Sequence, residues 1–141
     1  MNNEEKVKNL LREFDKFKEW TEKYSYIIDM GKALPAFDEK HKIDKFLISG
    51  CQSKVWLFAE YKDGKVKFTA DSNTIITKGI ISMLIETLSD RTPDFIINAK
   101  LDFIDKIGLK EHLSPTRSNG LISMIKQMKL YALVFKTKYE S

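Results

Sequence analysis

Cysteine and histidine, the residues that build metal centres and disulfides, are scarce in this sequence. Its 141 residues include a single cysteine, Cys51, and two histidines, His41 and His112. One cysteine cannot form an intramolecular disulfide, and zinc or iron–sulfur sites usually take several thiolate or imidazole ligands. Neither histidine has a metal-ligand spacing to the cysteine. We therefore expect no metal site in this chain alone, whereas a persulfide or a transient mixed disulfide is open to the thiol.

Long apolar runs and strongly one-sided charge are also missing. No tract approaches the roughly 20 apolar residues that a membrane helix needs, and the acidic start at residues 1–5 lacks a signal-peptide core. The net charge is +4, and residues 100–141 supply it with 8 basic and 4 acidic side chains. The sequence contains no cluster of basic residues interleaved with aromatic ones, which a surface that binds a nucleic-acid backbone would have. We expect a cytoplasmic protein that binds neither membrane nor nucleic acid.

The composition is that of one folded domain. Hydrophobic residues make up 43% of the chain, enough to fill a core, and charged residues make up 31%, which is normal for a hydrated surface. No internal repeat, low-complexity stretch or linker interrupts the sequence. A single domain over residues 1–141 is therefore expected.

Hydrophobic periodicity places helices at both ends of the chain. Apolar residues recur at three- and four-residue spacing in several tracts, and helices are predicted at 5–17, 21–33, 74–88, 100–107 and 116–137, with a short one starting at Thr92-Pro93. Residues 71–74, Asp-Ser-Asn-Thr, offer N-caps for the third of these helices. The last helix is predicted to bury a stripe made of Leu121, Met124, Ile125, Met128, Tyr131 and Phe135.

The middle of the chain has the pattern of a small antiparallel sheet. Residues 55–61 and 66–70 are rich in aromatic and β-branched side chains, and Asp63-Gly64 between them is a strong hairpin signal. Residues 47–50 are predicted as a short strand that leads into the cysteine, and residues 36–46 as a surface connection that touches the core. Helices, then a hairpin, then helices predict an α+β fold.

Cys51 is the main candidate for chemistry. It lies between Gly50 and Gln52-Ser53, where glycine allows a tight or mobile loop that can shelter a thiol and later present it. The reactive species is the thiolate, and an ordinary thiol with a pKa of about 8.5 is only a few per cent ionised at neutral pH. A nearby cation would help, and Arg117 and Lys78 are the candidates.

Other interpretations of these residues are open at this level. A lone cysteine in a cytosolic protein is more often an inert buried side chain than a nucleophile. A Cys–His pair with His112 is conceivable, although both histidines suit plain surface or capping positions. The Asp71–Asn73 segment suits a helix cap, and its carboxylate has no partner spaced for acid–base chemistry.

Several motifs in the same order resemble those of the SufE family over roughly residues 7–135. The matching tracts are Trp20, Glu22-Lys23-Tyr24, Tyr26-Ile27-Ile28, Gly31 to Leu34-Pro35, Gly50-Cys51-Gln52-Ser53, Val55-Trp56, Asp71-Ser72, Lys78-Gly79 and Leu113 to Leu121. One departure is Asn73, because the family usually has an acidic residue there, so this chain lacks that charge for docking or loop support.

The resemblance implies a fold and a role. The fold would be α+β with a small antiparallel sheet packed by helices, related to the IscU-type scaffold. Cys51 would accept sulfur from a pyridoxal-phosphate cysteine desulfurase, SufS-like or CsdA-like, stimulate that enzyme, and pass the sulfur to a SufBCD-like cluster scaffold. No cofactor would belong to this chain.

The supporting residues also follow from this resemblance. Gly50, Gln52, Ser53, Asp71 and Asn73 would shape the loop and its pocket. Arg117 and Lys78 would lie at the surface that meets the partner, and loop or cap packing is the alternative for each supporting residue.

Three alternative functions use the same residues. The chain could regulate a partner by docking alone, with a structural Cys51. It could be a thiol redox sensor that forms a sulfenic acid. A cluster scaffold is the weakest, because one thiolate cannot hold a cluster without further ligands.

Overall fold

The computed structural model describes residues 3–51, 53–109 and 113–140. In chain order the elements are α1 (Asn3–Asp15), α2 (Trp20–Lys32), β1 (Val55–Lys62), β2 (Lys65–Ser72), α3 (Ile75–Leu88), α4 (Pro93–Asn98), α5 (Asp102–Lys106) and α6 (Pro115–Tyr139). Two short 3-10 turns, Glu39–His41 and Asp44–Phe46, lie between α2 and β1. The α+β prediction is confirmed.

The sheet is a two-stranded antiparallel hairpin. Its register runs from Val55 opposite Ser72 to Lys62 opposite Lys65. Asp63 and Gly64 both have positive φ angles, 54° and 77°, which is the geometry that the tightest hairpin turns require. The predicted hairpin is confirmed. The predicted strand at residues 47–50 is wrong, because Leu47 makes only an isolated bridge to Trp56 and the chain then turns at Gly50.

Helix α3 forms the centre of the core. Its buried residues are Ile76, Thr77, Gly79, Ile80, Ile81, Met83, Leu84, Thr87 and Leu88, so they surround most of the helix, as expected for a core helix. It meets α2 backbone to backbone, since a Cβ placed on Gly31 would lie 2.7 Å from the Gly79 nitrogen. Its exposed residues are Ile75 at the start and Glu86 near the end.

Helix α6 closes the other side of the core. Ser114 accepts a hydrogen bond from the Arg117 backbone N–H at 3.3 Å and caps the helix, and Pro115 occupies its first turn. Leu121, Met124 and Met128 of the predicted stripe are buried. The other three predicted members are half-buried, and Ala132, which was not predicted, is fully buried.

The remaining predictions differ from the structure mainly at element ends. The helix predicted at 100–107 is shorter, Asp102–Lys106, and Gly108 follows it with a φ of 76°. Thr92 caps α4 by accepting from the Phe95 N–H at 3.2 Å, as predicted. In the 36–46 connection, Phe37 reaches the core but Ile43 is exposed.

Candidate functional site

The Cys51 side chain lies half-buried beside the first turns of α6. Its thiol donates a long hydrogen bond to the Gly120 carbonyl, with Sγ 3.7 Å from the oxygen. Gly50, directly before it, has a φ of 90°, a conformation that favours glycine. A side chain at position 50 would also overlap the Ser123 hydroxyl. The loop therefore rests on α6 because position 50 carries no side chain.

A cavity of about 70 Å³ opens beside the Cys51 sulfur. It is lined by Cys51, Ser53, Thr77, Ile80, Arg117, Gly120 and Met124. Two helices supply the walls, since Thr77 and Ile80 come from α3 and the last three residues come from α6. Ile80 and Met124 form a buried apolar wall of this cavity, whereas Ser53, Thr77 and Arg117 give it a polar side.

The resting thiol is not activated by charge. Burial raises the pKa of Cys51, because a thiolate loses hydration in such a pocket. The two cations proposed from sequence are engaged elsewhere. Arg117 donates to the Tyr24 hydroxyl at 3.0 Å, and Lys78 pairs with Asp71 at 3.4 Å. The thiol is therefore protonated at neutral pH while it stays in this position.

The segment after the cysteine is anchored to the end of β2. The Lys54 N–H donates to Asn73 Oδ1 at 3.1 Å, and the Asn73 N–H donates to the Lys54 carbonyl at 3.2 Å. The Ser72 hydroxyl donates to the same carbonyl at 2.8 Å. The Thr74 hydroxyl donates to Ser53 Oγ at 3.1 Å. These bonds fix residues 53–54 to residues 72–74.

This geometry corrects the predicted capping role of residues 71–73. Asp71 and Ser72 belong to β2, and Thr74 stands at the N-cap position of α3 without a side-chain capping bond. Asn73 binds the backbone of Lys54 instead of capping α3. Ladder pairing across the hairpin brings these side chains to the loop rather than to the helix start.

Asp71 is the centre of a small ion-pair cluster. Its carboxylate lies 2.9 Å from Lys42 Nζ and 3.4 Å from Lys78 Nζ, and Lys42 also lies over the Trp56 ring at 5.7 Å. Partial burial opposes ionisation of Asp71, but the Lys42 hydrogen bond, the Ser72 N–H and the charge of Lys78 outweigh it and lower its pKa. Asp71 therefore stays ionised and orders the strand next to the loop.

The structure brings together most residues that the sequence singled out. Gly50 precedes Cys51, Ser53 and Arg117 line its cavity, and Asn73 holds the backbone of Lys54, whereas Asp71 and Lys78 form the neighbouring cluster. Gln52 and His112 lie outside the described residues. The His41 ring packs against aromatic residues instead, and it stacks on the Phe58 ring with centroids 3.7 Å apart.

Four pocket residues were missed by sequence reasoning: Thr77, Ile80, Gly120 and Met124. They lie on two helices that are distant in sequence, and only packing brings them together. The one available signal was spacing, since Arg117, Gly120 and Met124 recur at three and four residues and so share a helix face. Among the described residues, no cluster of three or more His, Cys, Asp or Glu side chains could hold a metal ion.

Comparison with known proteins agrees with this architecture. A profile described as "SufE: Fe-S metabolism associated domain" matches residues 8–132. A solution structure of a hypothetical protein from Thermus thermophilus superposes with a TM-score of 0.77 at 19% sequence identity, covering 94% of this chain and 96% of that one. At this identity the likeness shows the fold alone. Over the described residues, no helix is both long and apolar enough to cross a membrane.

Proposed function

Because the chain belongs to the SufE family, whose domain is associated with Fe–S metabolism, we propose that Cys51 accepts persulfide sulfur from a cysteine desulfurase. The donor is a pyridoxal-phosphate enzyme of the SufS or CsdA type, which this chain also stimulates, and the sulfur then passes to a SufBCD-like scaffold. The chain acts as one domain over residues 1–141, in the cytoplasm. The observation that best supports this proposal is a single thiol that lies half-buried at an open cavity. It is carried by a loop in which the preceding residue is a glycine with positive φ.

The transfer step is a thiol–disulfide type exchange. The Cys51 thiolate attacks the outer sulfur of the donor persulfide, a new S–S bond forms, and the bond between the two donor sulfurs breaks. The donor cysteine leaves as a thiolate and takes the proton that Cys51 gave up. No net oxidation occurs, so no external oxidant is needed.

The resting position of Cys51 suits storage more than attack. Burial holds the thiol protonated, and the Gly120 carbonyl favours the S–H form over the thiolate. Transfer therefore requires the loop to leave α6, and Gly50 is the natural pivot because its backbone conformation is least restricted. Since residues 53–54 are tied to β2, the movement is confined to a few residues around Cys51.

The cavity gives the product a place to shelter. A persulfide is readily lost to reductants or oxidised further when it is exposed. An outer sulfur on Cys51 would lie against Ile80 and Met124, in the space of about 70 Å³ that the thiol leaves open. A loop that returns to this position after loading would protect the sulfur during transit.

Supporting roles follow from the contacts. Gly50, Ser53 and Asn73 set the loop's path, and Gln52 is proposed to share in it. Arg117 is exposed at the cavity rim and Lys78 is half-exposed nearby, so both suit contact with the partner. Asp71 orders the end of β2, two residues before Asn73.

A mass spectrum after reaction with a desulfurase tests the proposal. Incubation with a SufS-type enzyme and cysteine is expected to add one sulfur atom to Cys51, and Cys51→Ser is expected to abolish the addition while the circular dichroism spectrum stays unchanged. A wild-type chain that gains no sulfur under these conditions would overturn the proposal. Desulfurase stimulation that survives Cys51→Ser would instead favour a docking-only role.

The redox-sensor alternative has less support from the site. Sensor thiols are usually ionised and accessible, whereas Cys51 is half-buried and its pKa is raised by burial.

A further inference from the structure

The outward face of α6 carries an apolar stripe that no other described element covers. Ile122, Leu130, Leu133 and Val134 are 39%, 51%, 49% and 51% exposed. These positions and Lys126 recur at three- and four-residue spacing, so they share one face of the helix. At about 1.5 Å per residue the stripe is roughly 18 Å long. Grouped exposed apolar side chains of this kind mark an interaction site more often than scattered ones do.

The stripe adjoins the Cys51 loop. A shallow groove of about 190 Å³ runs between Ile48-Ser49 and the α6 residues Ser123, Lys126, Gln127 and Leu130. Ser123, on the floor of this groove, is also the residue that Gly50 packs against. A segment seated in the groove would therefore touch both the apolar stripe and the arm of the loop that has to open.

The charge of α6 indicates what kind of segment fits. The helix contains no acidic residue. Of its basic residues, Lys129 and Lys136 bind groups in and beside α4 and Arg117 binds Tyr24, so Lys126 is the one that lies within the stripe. Lys126 is exposed in the middle of the stripe. A second copy packed on the same face would bring Lys126 close to its own counterpart, which like-charge repulsion disfavours. An acidic segment with an apolar ridge complements both properties.

We infer that this face of α6 docks the sulfur donor through such an acidic, apolar-ridged segment. The inference rests on the proposed function and adds where the donor binds. The donor is favoured over the acceptor because it must hold the chain while a protonated, sheltered thiol leaves its pocket. An acceptor meets a persulfide that is already formed and more acidic than a thiol.

Titration of the chain against a fixed amount of its SufS-type desulfurase tests the inference. The readout is the rate of sulfur loading onto Cys51 as a function of chain concentration. Leu133→Glu is expected to raise the half-saturating concentration by roughly tenfold or more, because docking would bury an unpaired carboxylate in an apolar contact, and to leave the maximal rate unchanged. Lys126→Glu should raise the half-saturating concentration less, and mainly at low ionic strength.

Ile43→Glu is the matched control. Ile43 is 47% exposed and lies off α6, so the same chemical change there is expected to leave loading unaltered. Leu133→Ser serves as a second variant if Leu133→Glu lowers thermal stability. Wild-type half-saturation in both Leu133 variants, or equal effects at positions 43 and 133, would overturn the inference and leave the proposed function standing. A wild-type chain that loads no sulfur would overturn both.

Three further outcomes would also overturn the inference. If Leu133→Glu slows only the release of sulfur from preloaded Cys51, the face serves the acceptor. If the wild type dimerises in sedimentation equilibrium and Leu133→Glu does not, the occupant is a second copy. If the wild type binds phosphatidylglycerol vesicles, Leu133→Glu does not, and loading is unaltered, the face meets a lipid surface.

Discussion

The two arms of the Cys51 loop are held in different ways. The arm before the cysteine, residues 47–50, has the Leu47 bridge at its start and then rests on α6 by the fit of Gly50 against Ser123. The arm after it, residues 53–54, is tied by four hydrogen bonds to residues 72–74. One backbone hydrogen bond, from the Ile48 N–H to the Val55 carbonyl at 2.9 Å, and the fit of Gly50 hold the first arm, whereas four hydrogen bonds hold the shorter second arm. The first arm is therefore the one expected to open, and the second keeps the cysteine near its pocket.

Gly50→Ala is expected to have the largest effect on this difference. An L-residue at a φ of 90° is strained, by about 1–3 kcal/mol, and the new Cβ would overlap the Ser123 hydroxyl. We expect lower stability in urea and faster alkylation of Cys51 by iodoacetamide, because the loop is displaced from α6.

Gly64→Ala is the control for Gly50→Ala. Position 64 also has positive φ, 77°, but nothing lies within 4 Å of a new Cβ there. It should lose stability without changing the alkylation rate. Adding Ser123→Ala to Gly50→Ala should partly restore the slow rate, and unaltered alkylation in Gly50→Ala would show that shape does not hold the first arm.

Asn73→Ala tests the second arm and should have a smaller effect. It removes the acceptor of the Lys54 N–H, and losing one partly exposed hydrogen bond costs about 1 kcal/mol. Asn73→Asp keeps an acceptor oxygen at that place, so it is expected to have near-wild-type stability. Urea unfolding and alkylation rate are the measurements, and equal losses in both variants would contradict the assigned role of the Asn73 oxygen.

The pH dependence of Cys51 alkylation is expected to show the smallest effect. Burial raises the thiol's pKa, so the rate should climb at higher pH than for an unfolded peptide of the same local sequence. In Gly50→Ala the pH at which the alkylation rate reaches half its maximum should move down towards the ordinary thiol pKa. Since the unfolded chain loses its proton first, stability should also fall as pH rises above the ordinary thiol pKa. A wild-type midpoint at or below the peptide's would contradict the sheltered position.

Local patterns in the sequence were enough to predict the main helices and the hairpin. Periodic apolar residues and Asp63-Gly64 act within one element, and the structure places them as expected. Asp71-Ser72 shows the limit of such reasoning. The residue types that cap helices also end strands, and the ladder that pairs Val55 with Ser72 decided between the two.

The pocket walls could not be predicted from the same patterns. Thr77 and Met124 line the same cavity as the sulfur atom because α3 contacts α6, which is a contact across long sequence separation. Cys51, Gly50 and Ser53 were predicted as the site because they are neighbours in the chain. The raised thiol pKa was not predicted, because it depends on those walls.

The contact between Gly31 and Gly79 has a consequence for the pocket rim. Tyr24, which receives the Arg117 hydrogen bond, lies about two turns before Gly31 on α2, and Thr77 lies two residues before Gly79 on α3. Any bulkier residue at either glycine would push the two helices apart. Tyr24 would then move away from the Cys51 cavity, and Arg117, which is bonded to it, would move as well. The width of the cavity entrance therefore depends on a contact between two residues that have no side chain.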